Sequence, residues 1–281
     1  MSGWRTVAII MGRDLAARRR ATLVATGVIA GLAVAGILVA ALVTEGSTRP
    51  LRGEDADRIV GYLGVITLMF GLVFTGQVIT EGVAEEKRSR VVEVVLGAVS
   101  PRRLLLGKSA AIGLIGLIEV VVLCAAVAVA GRVLEVFPLP EATAGALAAV
   151  LGFFVLGFAF YAAVYAAAGA MVAPHENPAN NTVLVNLVVM VGYLGGFISL
   201  NEGGGVFLRV LSLLPPTAPL TMPLRVVLRD VAAWEAALSG VLLLAAAWGV
   251  IVLAGRLYAG AIMRGGKVRW REAWRDAAHL R

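Results

Sequence analysis

Apolar residues in this chain gather into long runs separated by short polar breaks. Six runs reach the length of about 20 residues that carries an α-helix across a bilayer core: 22–43, 59–79, 105–130, 143–173, 182–200 and 236–255. Together they take up about half of the chain, so the pattern predicts an all-α membrane protein of six transmembrane helices, with no large soluble domain. It reads as a single transmembrane domain over 1–281: an interfacial helix at 1–21, a six-span bundle at 22–258 and a basic tail at 259–281.

The breaks carry their own patterns. Trp4, Val7, Ala8, Met11 and Leu15 recur at helical spacing among Arg5, Arg13 and Arg18. This suits a helix lying flat in the membrane interface; the alternative is a frayed extension of the first span. Between 201 and 235 lies "GGGVFLRVLSLLPPTAPLTMPLRVVLRD", which is apolar but interrupted by Pro215, Pro216, Pro219 and Pro223. Proline removes a backbone donor and clashes with the preceding turn, so no single helix crosses here. Two short helices dipping into the outer leaflet around a proline turn would keep their backbone groups satisfied; a segment lying flat in the interface is the alternative. Trp270 and Trp274 sit among Arg269, Arg271 and Arg275 in a tail that suits an inner-surface anchor.

Composition agrees with the pattern. Charged residues make up 15% of the chain, against about 25% in soluble domains. The run after Arg18, Arg19 and Arg20 exceeds the 7–15 apolar residues of a secretion signal, so it is expected to stay as a first span. The one cysteine, Cys124, lies within the third run and leaves no disulfide framework. Basic residues mark the cytoplasmic side. Placing both termini inside puts 18 of the 25 basic residues there: five before Thr22, six between Glu81 and Lys108, and seven from Arg256 onward.

The stretch "EEKRSRVVEVVLGAVSPRRLLLGKS" breaks this apolar chain between the second and third runs. Its Gly107-Lys108-Ser109 resembles the end of a phosphate-binding loop, but that motif needs glycine at 102, where Arg102 stands. The segment reads instead as a helix. Glu86 precedes Arg90 by four residues, the stabilising order for a helical pair, and Val91, Val92, Val95 and Leu96 supply an apolar side. Ser100 and Pro101 then suit the N-cap and first position of the next helix.

On these residues the chain resembles the ABC-2 type transporter permeases, most nearly the sodium-extruding (NatB-type) branch. Glu86-Lys87, Glu93 and Val94-Val95-Leu96 correspond to the family's segment after the second span. "LLPPTAPLTMPLRV" resembles its proline-rich outer segment, and "RLYAGAIMRGGKV" its closing tail. The resemblance implies a six-span permease that dimerises with a second copy or a related permease. It also implies a separate ABC ATP-binding subunit, with ATP and Mg bound on that partner and no cofactor or metal in this chain. The segment at about 84–96 would be the coupling helix that docks on the ATPase, through Glu85, Glu86, Lys87, Arg88, Arg90, Val91, Glu93 and Val95. One departure stands out: about fifteen residues separate the first two spans, where that branch commonly has a large outer domain.

Within the runs, Glu119 is the one carboxylate expected at mid-membrane depth. Such a residue costs about 2.5–3.5 kcal/mol on insertion scales, so it should face the bundle, either on a translocation route or as an interhelical hydrogen-bond partner. Asn186 and Tyr193 share one helix face, Tyr161 and Tyr165 another, and Thr67 and Thr75 a third. These faces could line a route for an amphipathic substrate or pack against neighbouring helices. Gly27/Gly31 and Gly192/Gly196 have the spacing that lets helices approach closely.

His175 and Glu176 are too few for a metal site, and no nucleophile with a base lies within the runs, which argues against an intramembrane enzyme. The expected function is a non-enzymatic permease subunit in the plasma membrane, exporting a substrate on a partner's ATP hydrolysis. An ATPase-independent channel or secondary transporter is the alternative. Membrane lipid is an expected partner and nucleic acid is not.

Overall fold

The computed structural model describes residues 53–88, 101–133, 143–173, 176–202, 205–228 and 231–262. The expected first span at 22–43, the N-terminal interfacial helix, the segment 89–100 and the tail from 263 lie outside them. The described residues form seven α-helices and one 3-10 turn, with no strand among them. We name the helices α1 (Gly53–Arg88), α2 (Pro101–Val133), α3 (Thr143–Met171), α4 (Val183–Glu202), α5 (Val206–Leu213), α6 (Ala218–Val227) and α7 (Ala233–Ile262). The 3-10 turn is Pro178–Thr182.

Four stretches are long and apolar enough to cross a membrane: Gly61–Glu85, Ala148–Met171, Pro178–Ile198 and Ala233–Gly255. Ser109–Val122 is a shorter apolar stretch within α2, which itself runs for 33 residues. Pro101 opens α2, as its fixed φ and missing donor favour.

The helix α3 carries no charged residue. A helix that is apolar on all sides belongs inside a bundle, and α3 occupies that place, burying Phe154, Tyr161, Tyr165 and a run of alanines from Ala166 to Ala168. Leu68, Leu72, Ile79 and Val83 of α1, Ile112 and Val120 of α2, and Leu243, Ala247 and Ala254 of α7 share its core.

Helix directions follow from the glycines. A side chain at Gly71 would meet Phe154 and Val120, one at Gly76 would meet Tyr165, and one at Gly116 would meet Thr75. Moving along α1 therefore moves forward along α3 and backward along α2, so neighbours in sequence alternate in direction.

At Gly169 the approach is closest to backbone. A Cβ there would lie 2.7 Å from the Thr80 carbonyl oxygen and 3.1 Å from its Cα, and backbone cannot rotate away as a side chain does. Gly169→Ala is expected to push α1 from α3 at a cost of about 1–3 kcal/mol, the range for overpacking, read as a lower melting temperature in detergent.

The proline-rich segment forms two short helices, α5 and α6, joined by a turn at residues 214–217. Pro215 and Pro216 make the turn, and Pro219 sits in the first turn of α6, where no donor is required. Pro223 lies inside α6 and does not break it, contrary to the expectation from its residue type. The Thr217 hydroxyl donates to the Leu211 carbonyl at 2.6 Å, closing one of the open acceptors at the end of α5. Gly157 of α3 accommodates Pro219, and Gly196 of α4 accommodates Leu224 and Thr221 beside Val65. The α6 helix thus leaves the level of Leu72 and returns to that of Val65, about 10 Å along α1 at 1.5 Å per residue.

Candidate coupling and translocation sites

The charged end of α1 begins inside the bundle. The expected coupling helix at 84–96 was a separate short element after the second span. In the structure Ala84–Arg88 prolong the spanning helix without a break, because Glu81, Glu85, Glu86 and Lys87 are good helix formers and neither proline nor glycine follows Gly82 before Arg88.

Two contacts hold this end. The Thr80 hydroxyl donates to the Tyr165 carbonyl on α3 at 3.1 Å. The Gln77 amide bonds the Thr182 hydroxyl in the 3-10 turn at 2.9 Å, and Asn177 starts that turn by accepting from the Ala179 N–H at 3.0 Å. Glu81 and Glu85 are exposed beyond these anchors. Arg90, Val91, Glu93 and Val95 lie outside the described residues, and Glu86, Lys87 and Arg88 are placed by backbone alone.

Of the residues expected along a route, Glu119, Tyr161, Tyr165, Thr67 and Thr75 are buried, and Asn186 and Tyr193 are half-buried. Glu119 is 2% exposed, which bears out the expectation that it faces the bundle. Tyr165 is buried, and its hydroxyl donates to Asn186 Oδ1 at 2.5 Å, joining α3 to α4. The Tyr161 hydroxyl donates to the Pro216 carbonyl and so ties α3 to the proline turn. Thr75 donates to the Gly71 carbonyl of its own helix at 2.5 Å, and Thr67 is buried. Tyr193 packs toward Phe197 with ring centroids 6.2 Å apart.

Two of these side chains bridge elements within the chain, Tyr165 to α4 and Tyr161 to the proline turn. The Gly192/Gly196 pair takes the same part, since Gly192 faces Leu220 and Thr217 and Gly196 faces Leu224. Gly27 and Gly31 lie outside the described residues.

Tyr165→Phe removes one interhelical hydrogen bond and keeps the ring. It is expected to lower stability by about 1 kcal/mol, measured by thermal unfolding in detergent.

A polar cluster that sequence reasoning missed joins the last three helices. Glu235, in the first turn of α7, accepts from Arg209 of α5 at 2.6 Å through Oε1 and from Arg225 of α6 at 2.9 Å through Oε2. Arg225 also donates to the Ser212 hydroxyl at 2.9 Å, and the Ser239 hydroxyl donates to the Ser212 carbonyl at 2.6 Å. Arg225 and Glu235 are each 3% exposed. The available signal was an arginine inside an apolar proline-rich run with an acid ten residues later; a carboxylate at a helix N-terminus is also favoured by the helix dipole.

Outward faces are strongly apolar. On α4, Leu184 is 77% exposed and Leu187, Val191 and Leu194 follow on the same side; on α7, Val241, Leu244 and Trp248 do likewise. Contiguous apolar surface on this scale marks a membrane or protein contact. Among the described residues no group of three or more His, Cys, Asp or Glu is placed to hold a metal. His175 and His279 lie outside them.

Uncharacterized protein YhaP of Bacillus subtilis (strain 168) is 27% identical over 226 residues, which cover 75% of this chain and 53% of that protein. The chain thus spans about half the length of that relative. No solved structure matches. The profile described as "ABC-2 family transporter protein" matches residues 28–256, which takes in every described helix up to the last turns of α7. With its apolar helices alternating in direction around α3, the chain is a multi-pass integral membrane protein and belongs to the ABC-2 transporter family.

Proposed function

We propose that the chain is the membrane-spanning subunit of an exporter that takes its energy from a separate ATP-binding subunit, working as a dimer of two such permeases in the plasma membrane with both termini cytoplasmic. The observation that carries this reading is the length and anchoring of α1. Its 36 residues extend about 54 Å at 1.5 Å per residue, against a hydrocarbon core of about 30 Å. A helix of that length projects beyond the bilayer. Its C-terminal end leads into the basic segment that resembles the family's coupling helix, while Gln77 and Thr80 bond it to the 3-10 turn and to α3. Force applied at Glu85–Arg88 would thereby reach the centre of the bundle through one rigid rod.

The family match supports the permease role, and the basic residues from Lys87 to Lys108 support a cytoplasmic position for that end. The α5–α6 hairpin would then lie at the outer end, with its turn dipping to the level of Leu72. The NatB-type branch rests on the quoted segments alone, and the transported substrate stays open. Glu119 and the tyrosines are assigned to packing in the state described, from which a reorienting bundle would expose them.

The test is extraction of the tagged protein from its native membrane in mild detergent, followed by assay of vanadate-sensitive ATP hydrolysis. A co-purifying ATPase is expected. Its absence under conditions that keep the permease dimer intact would point to the ATPase-independent channel or secondary transporter.

A further inference from the structure

We propose that the 3-10 turn Pro178–Thr182, with Asn177 before it and Glu81 beside it, is a second docking surface for the ATP-binding subunit. This rests on the permease reading above and adds a contact leading into α4 to the one on α1. The turn and the C-terminal end of α1 stand at the same end of the bundle. Helices α1 and α4 run antiparallel, since Gln77 bonds Thr182 at one end and the rings of Tyr62 and Phe197 meet at 5.0 Å at the other. From the level of Gln77, Glu81 and Glu85 lie about 6 and 12 Å further out at 1.5 Å per residue. Asn180 and Asn177 lie about 4 and 10 Å further out, at about 2 Å per residue of 3-10 turn from Thr182. All four are exposed, as is Ala179, so two elements present polar side chains at one depth.

Size requires a partner to cover both. A stable interface takes about 20–30 residues a side, and the coupling segment at 84–96 has thirteen. The rest of the footprint has to come from what stands level with it, and Gln77 fixes the turn there. The turn is also set before a partner arrives. Asn177 Oδ1 accepts from the Ala179 N–H at 3.0 Å, the Asn177 carbonyl accepts from the Asn180 N–H at 3.1 Å, and the Thr182 hydroxyl donates to the Ala179 carbonyl at 2.9 Å. A preset surface loses less entropy on binding. Uncharged amides beside two carboxylates match basic side chains and peptide groups on the subunit opposite. The turn passes into α4 without a break, Val183 already having helical φ and ψ. A subunit seated on both surfaces therefore moves α1 and α4 together, where the coupling segment alone moves α1.

The experiment places the photo-crosslinker p-benzoylphenylalanine at Ala179, at Asn180 or at Glu85 of the full chain in its native membrane, and labels nucleotide-binding proteins with 8-azido-ATP. An adduct between the permease and an azido-ATP-labelled protein is expected from the turn positions as well as from Glu85. An adduct from Glu85 with none from Ala179 or Asn180 overturns this proposal and leaves the permease reading standing, whereas none from any position overturns both. An unlabelled permease–permease adduct from the turn assigns it to a second copy and refutes the docking. Asn180→Lys sets a positive charge against a basic surface, and is expected to reduce the vanadate-sensitive ATP hydrolysis retained by the tagged protein about tenfold, the factor that 1.4 kcal/mol gives, at a parental melting temperature. Glu141→Lys, on the expected outer side, is the control, and retention by Asn180→Lys equal to it overturns the proposal.

Discussion

Arg225→Ala is expected to lower the melting temperature of the detergent-solubilised protein by on the order of 10 °C, as removal of one partner from a buried ion pair does. The guanidinium lost is the piece that joins α6 to both of its neighbours, donating to Ser212 on α5 and to Glu235 on α7. After the substitution Glu235 stays buried with one arginine instead of two, and the Ser212 hydroxyl loses a donor. Replacing Arg225 with Met and Glu235 with Leu together should recover much of the loss, because a well-packed apolar pair in place of a buried ion pair is often neutral or stabilising. Arg209→Ala, on the exposed side, should cost far less, as exposed ion pairs are screened by water. A melting temperature unchanged by Arg225→Ala would mean that the cluster does not hold the hairpin.

Reversing the charge at Lys87 and Arg88 together to Glu is expected to cut transport-linked ATP hydrolysis at least about tenfold, since like charges set against each other at an interface cost several kcal/mol and 1.4 kcal/mol is already a factor of ten. Both residues belong to α1, the helix that Gln77 and Thr80 fasten to the 3-10 turn and to α3. Those bonds lie seven or more residues back from Lys87, two helical turns, so the double substitution should leave folding and dimer yield intact. Purified ATPase and permease would be mixed in nanodiscs, and the vanadate-sensitive rate compared with that of the parent. A parental rate would remove the docking role from this end of α1. A lost rate with a parental melting curve would separate docking from stability.

Much of the architecture was legible because a bilayer solvent imposes a simple code. Any apolar run of sufficient length must be helical, since no water is present to bond an unpaired backbone group. The described helices α1 to α4 and α7 accordingly fall where the runs fall. The ends were less legible. The α1 helix starts at Gly53 and reaches Arg88, where hydropathy alone suggested 59–79, because helix propensity continues into charged residues after apolarity stops. The proline segment was read correctly as two short helices and a turn, since proline's missing donor acts locally; Pro223 was the exception, lying inside α6 without breaking it.

What the tertiary structure decided was pairing. Periodicity placed Tyr161 with Tyr165 and Asn186 with Tyr193 on common faces, but it could not say that Tyr165 would reach Asn186 while Tyr161 reached the Pro216 carbonyl. The same holds for Glu235, whose two oxygens meet arginines 26 and 10 residues earlier in the chain. The sequence by itself determined that the chain is helical, apolar and built for a membrane, because burial in lipid depends on composition and run length. Which polar groups meet inside the bundle depends on helix rotation and depth, and those are set by contacts such as Gly169 on Thr80 and Gly192 on Leu220, which exist only after distant segments have packed.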